Sequence, residues 1–203
     1  MLITQLKNKE EIIPYIKEKV LLISCSGCRE VYFPIKEMEE LKSELKKGGL
    51  VISDELIFDY ICNEDWTRKR FEIYKDKINE VNTILVFSCG VGIQTVASLL
   101  PEKIIISGSD TFYLPGFSGI TPLEYDCEQC SECMLGYTLG ICPITACSKG
   151  LLNGPCGGAK NGKCEVSKDM ECGWQRILDK SKNLNEKIKI TEKIRLRNYS
   201  KLT

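Results

Sequence analysis

The chain has 203 residues, with 28 basic and 28 acidic side chains, twelve cysteines and no histidine. Zero formal net charge argues against a generic polyanion binder, because non-specific affinity for nucleic acid rests on neutralised phosphates. The missing histidine excludes Ser-His-Asp and Cys-His relays and any imidazole acid, base or zinc ligand, which leaves cysteine, carboxylate, lysine, tyrosine or a cofactor to carry chemistry.

Residues 1–11 turn charged before an apolar segment can form, so no secretory signal is expected. No run approaches the ~18 apolar residues of a membrane span. The expected compartment is the cytoplasm, where disulfides are rare; metal ligation is therefore the reading for the cysteines. Residues 20–23 read as a buried strand. Residues 35–47 read as a helix, with Ile35, Met38, Leu41 and Leu45 near helical spacing and Gly48-Gly49 as its stop. Residues 50–52 follow as a second strand. Residues 63–81 form a long charged helix with Trp66, Arg70, Ile73, Tyr74 and Ile78 on its inner stripe. A third strand at 83–87, a crossover helix at 92–100 and a fourth strand at 103–106 complete the series. This alternation predicts an α/β fold whose N-terminal domain, residues 1–120, holds a Rossmann-like, mainly parallel sheet of about four strands.

Cys25 and Cys28 follow the first strand, Cys62 the second and Cys89 the third. The carboxyl ends of parallel strands share one edge, where ligands sit beside a switch of strand order. These four thiols either ligate a third cluster or pack as small hydrophobes. Cys89-Gly90-Val91-Gly92 lacks the full G-x-G-x-x-G sequence, so a dinucleotide reading is weak, although a phosphate could rest on that helix N-terminus.

Eight further cysteines, Cys127, Cys130, Cys133, Cys142, Cys147, Cys156, Cys164 and Cys172, crowd a loop-rich metal-binding domain at 121–180. They match two [4Fe–4S] clusters or two all-thiolate zinc sites. The C-x2-C-x2-C run at Cys127, Cys130 and Cys133 favours iron–sulfur, and those three are expected to share one cluster. The grouping of the other five stays open. Glycine and proline around the ligands permit tight turns and leave N–H groups free to face sulfur. Trp174, Ile177 and Leu178 mark a C-terminal helix starting near Asp169. The tail, 181–203, is basic and either stays solvated or docks on an acidic partner or redox donor.

Gly140-Ile-Cys-Pro143, Asn153-Gly-Pro-Cys-Gly-Gly158, Gly162-Lys-Cys-Glu-Val166 and Cys172-Gly-Trp174 resemble the cysteine-rich C-terminal domain associated with methylenetetrahydrofolate reductases. Together with Ile84 to Val96, they make residues 20–178 similar to the small MetV-type subunit of acetogenic and related anaerobic bacteria. Relatives often carry another cysteine and a Gly-Gly pair after the first C-x2-C; here Val31 and Phe33-Pro34 occupy that stretch. The resemblance implies a role in one-carbon metabolism, the Wood–Ljungdahl pathway. It implies an iron–sulfur electron-transfer subunit, itself without catalytic residues, passing electrons to the flavin of a TIM-barrel catalytic partner. That partner reduces 5,10-methylenetetrahydrofolate to 5-methyltetrahydrofolate, and ferredoxin or another redox protein is the donor. Two [4Fe–4S] clusters are expected in the C-terminal domain. The rival reading is a non-redox scaffold subunit braced by all-cysteine zinc sites.

Overall fold

The computed structural model describes residues 2–28, 31–113 and 127–198. Its centre is a four-stranded, wholly parallel sheet in the order β4-β2-β5-β6, formed by β2 (Val20–Cys25), β4 (Ile52–Phe58), β5 (Thr83–Phe87) and β6 (Ile104–Ser107). Successive side chains of a strand point to opposite faces, and here both faces are covered, so β2 and β5 are apolar at nearly every position. On one face Leu21, Ile23, Ile84, Val86 and Ile105 meet Phe71, Ile78, Ile93, Val96 and Ala97. Val20, Leu22, Leu85, Phe87 and Ile106 meet Ile12, Met38 and Leu45 on the other. Each fully buried Ile or Leu contributes about 1.5–3 kcal/mol.

Helix α1 (Lys9–Ile12) supplies Ile12 and α2 (Ile35–Lys47) supplies Met38 and Leu45. The predicted long helix is two, α3 (Glu64–Ile73) and α4 (Lys75–Asn79), parted at Tyr74. Its inner stripe differs from the predicted one: Thr67, Phe71 and Ile78 are buried, while Trp66 and Ile73 are exposed. The second strand lies later than the predicted 50–52, because β4 is an edge strand interrupted by the polar run Ser53, Asp54 and Glu55 that buries only Leu56 and Phe58. Helix α5 (Gly90–Leu99) follows β5, and α6 (Gly173–Leu184) closes the C-terminal half.

A second sheet, β3-β1-β7, was not anticipated. β1 (Leu2–Leu6) pairs in parallel with β3 (Val31–Tyr32) and antiparallel with β7 (Ser109–Tyr113). Among the described residues no helix is long and apolar enough to cross a membrane.

Candidate metal centre

The chain runs from β2 outward to β4 and then returns past β2 to β5, so the switch of strand order falls between β2 and β5. Cys25 ends β2 and Cys89 immediately precedes α5; the two thiols flank that crevice. Gly27, at φ 105°, turns the chain toward Cys28, and Tyr60, at φ 44°, turns it back toward Cys62. Cys25, Cys28, Cys62 and Cys89 thereby line one narrow recess with Val31, Phe33, Tyr60 and Ser88. Burial pushes the Cys62 thiol up to about 12, reinforced by Cys89, Cys28 and Cys25. Burial also raises Cys89, against the opposing pull of the Gly92 and Val91 N–H groups. A bound cation reverses this preference, because it deprotonates coordinating thiols.

The second recess is lined by Cys127, Cys130, Cys133 and Cys142, together with Gly90, Gln94, Thr111 and Ile144. Gln129 and Ser131 adopt φ of 52° and 59°, coiling the C-x2-C-x2-C run around the space. The coil aims the N–H of Gln129 at the sulfur of Cys127 and that of Leu135 at Cys133, while the Cys130 thiol donates to the Glu132 carbonyl at 3.4 Å. Hydrogen bonds to sulfur are one of the levers that set cluster potentials. Burial dominates and raises all three thiols, Cys133 to about 12. The run is pinned to β7: Ser131 N–H donates to the Thr111 carbonyl at 3.1 Å, and Cys133 N–H donates to Asp110 Oδ1 at 2.7 Å. Asp110 in turn forms an ion pair with Lys7 at 2.6 Å, both side chains being 3% exposed.

Backbone adjacency gathers the remaining four. Gly173 packs so closely on the Ala146 carbonyl that an added Cβ would overlap it, which sets Cys172 beside Cys147. Ser148 Oγ lies 3.4 Å from Cys164 Sγ. The Cys156 thiol donates to Glu165 Oε1 at 3.7 Å and accepts from the Gly158 N–H at 3.4 Å. Cys164 N–H donates to the Met170 carbonyl and Cys172 N–H to the Gly162 carbonyl, at 2.9 and 2.8 Å. This set is the more open one: Cys156 is exposed, and the Ser148 hydroxyl and the Val166 N–H pull Cys164 below the ordinary thiol range.

The basic tail does not simply extend into solvent. Lys189 lies over the Tyr15 ring and Arg195 over the Tyr137 ring, 3.7 and 3.6 Å from the centroids. Arg197 pairs with Glu128 at 3.1 Å, between Cys127 and Cys130. A wider cavity of about 520 Å³, lined by Gln94, Arg176, Lys180 and Asn183 among others, holds no thiol.

Among the described residues, no group of three or more His, Cys, Asp or Glu side chains is set to hold a single metal ion. All twelve predicted ligands are described, whereas the boundary expected near residue 120 lies among residues 114–126, outside the described ones. Lys7 and Asp110 were missed by sequence reasoning, since each is one ordinary charged residue with no motif around it. Gly90 was noticed only as part of a glycine turn.

Residues 106–200 match the family described as Methylene-tetrahydrofolate reductase C terminal. That segment is similar to this family. The resemblance read from the cysteine motifs is borne out, and the match continues through the tail to residue 200, beyond where the motifs gave information. No curated protein and no solved structure matches the chain.

Proposed function

We propose that the chain is the electron-transfer subunit of a methylenetetrahydrofolate reductase complex, with three [4Fe–4S] clusters as its cofactors. The observation that carries this reading is the grouping of the cysteines: two recesses each lined by four thiols, and four more gathered by the backbone contacts around Cys147 and Cys172. The ligand sets are Cys25, Cys28, Cys62 and Cys89; Cys127, Cys130, Cys133 and Cys142; and Cys147, Cys156, Cys164 and Cys172. When bound, such clusters exchange electrons one at a time at potentials set by burial and hydrogen bonds to sulfur. The protein's part is to hold the thiols at fixed positions, shield the two recessed sets and face backbone N–H groups toward sulfur. The partner is a flavoprotein that carries the folate chemistry, and the donor is ferredoxin or a similar low-potential protein in the cytoplasm.

Anaerobic purification, followed by an absorption spectrum and iron, sulfide and zinc analysis, tests the reading. About twelve iron atoms per chain are expected. A colourless protein holding zinc and no acid-labile sulfide would establish the scaffold reading instead. Cys62→Ser is expected to lower iron by about four atoms, the content of one cluster; unchanged iron would return the N-terminal thiols to the core.

A further inference from the structure

Cys89 belongs to the N-terminal recess, and the next residue, Gly90, lines the central one. A Cβ placed on Gly90 would stand 2.8 Å from the sulfur of Cys127, inside the distance that carbon and sulfur tolerate. Gly90 N–H donates to Thr111 Oγ1 at 2.9 Å, and the Thr111 carbonyl holds the Ser131 N–H, so the start of α5 is tied to the loop that carries the central thiols. On the far side, Cys142 of the central set packs against the same apolar cluster as Cys147 and Cys172.

From this arrangement we infer that the Cys89–Gly90 peptide is the joint between the N-terminal and central thiol sites. The three sites then form one linear relay with the Cys127 set in the middle, and Gly90 is the positioning residue that lets Cys127 approach the joint. The inference rests on the proposed iron–sulfur reading. A transfer across the joint moves one electron from the reduced site to its oxidised neighbour, with no bond made or broken. The electron comes from a one-electron iron–sulfur donor and leaves to the partner's flavin. Any side chain at residue 90 pushes Cys127 away from the joint.

The test is electron paramagnetic resonance of the anaerobic full chain reduced with dithionite, together with iron analysis. The wild type should give signals broadened by neighbouring spins. Cys62→Ser should keep the iron of the other two sets and lose the part of the broadening that arises at the joint. Gly90→Ala should lose either that broadening or the iron of the central site. Iron bound with independent, unbroadened signals, unchanged in Cys62→Ser, would overturn the joint while leaving the iron–sulfur reading intact. A wild-type chain with no iron would overturn both. Because the wild type and Cys62→Ser decide the matter alone, a Gly90→Ala chain that fails to fold does not remove the test.

Discussion

The carboxylate of Asp110 accepts the backbone N–H of Cys133 at 2.7 Å while pairing with the buried ammonium of Lys7 at 2.6 Å. One side chain thus anchors a ligand loop and neutralises a charge in the interior. Removing one partner of a buried pair leaves the other unpaired, at a cost of about 3–5 kcal/mol. Asp110→Ala should show that loss in chemical denaturation and release iron from the central set. Lys7→Met combined with Asp110→Leu should recover much of the stability while leaving the loop unanchored.

Thiol reactivity in metal-free protein should follow burial and local hydrogen bonds, because the thiolate is the nucleophile. Cys164 is held below the ordinary range by the Ser148 hydroxyl and the Val166 N–H, whereas Cys62 and Cys133 are pushed up to about 12. Brief iodoacetamide treatment at pH 8, read by peptide mass spectrometry, should label Cys164 well before Cys62, Cys127 and Cys133. Equal labelling of all four would contradict the burial of the two recesses.

Gly173 opens α6 against the Ala146 carbonyl. Gly173→Ala should force the helix away from the Cys147 loop at a cost of about 1–3 kcal/mol, the usual range for overpacking. Iron loss should be confined to the Cys147, Cys156, Cys164 and Cys172 set, as judged by metal analysis and by the signals that remain.

Lys180 supplies a pH signature away from the thiols. Its Nζ donates to the Ala97 carbonyl at 3.1 Å. Burial lowers its pKa from 10.5 to about 8, with Glu102 opposing the shift and Arg176 assisting it. Between about pH 8 and 10.5 the unfolded chain binds more protons at this site than the folded chain, so the site's contribution to stability rises with pH across that window. Below pH 8 both states are protonated and the full penalty stands. Lys180→Met should therefore be more stable than the wild type at pH 7, and the difference should shrink as pH climbs through the window. A difference that stays constant would refute the assignment.

The parallel sheet was legible in the sequence because its central strands are buried on both faces and read as apolar runs; 83–87 agrees residue for residue with β5. β4 was misplaced for the converse reason: an edge strand whose first half carries Ser53, Asp54 and Glu55 in succession gives no such run. Within α3 the buried stripe runs one residue later than expected, at Thr67 and Phe71, whereas Ile78 beyond the break at Tyr74 is buried as expected. β1 and β7 carry Thr4, Asp110 and Thr111 at positions that face neighbours rather than solvent, and polar residues satisfied by tertiary partners look like loop. In the site, spacing showed which residues to watch, and strand ends showed where the early thiols meet. Dividing the other eight required knowing that Cys142 turns inward to the central recess while Gly173 packs on Ala146, next to Cys172 and Cys147 in the chain, and a loop's path leaves no periodic trace in its composition.

Cys89 and Cys172 both occupy the N-cap position of a helix, α5 and α6 respectively. A helix N-terminus carries a partial positive charge from its unpaired N–H groups, and here each one opens beside a thiol of an outer set. The central set instead has the ammonium of Lys7 nearby. Each of the three thiol groups thus has a source of positive potential built in, two of them from peptide dipoles that do not register in a count of charged side chains. A polypeptide whose formal charges cancel thus still places positive potential beside each thiol group, against the cost that burial imposes on anionic sulfur, and the two dipole sources persist at any pH at which the backbone stays folded.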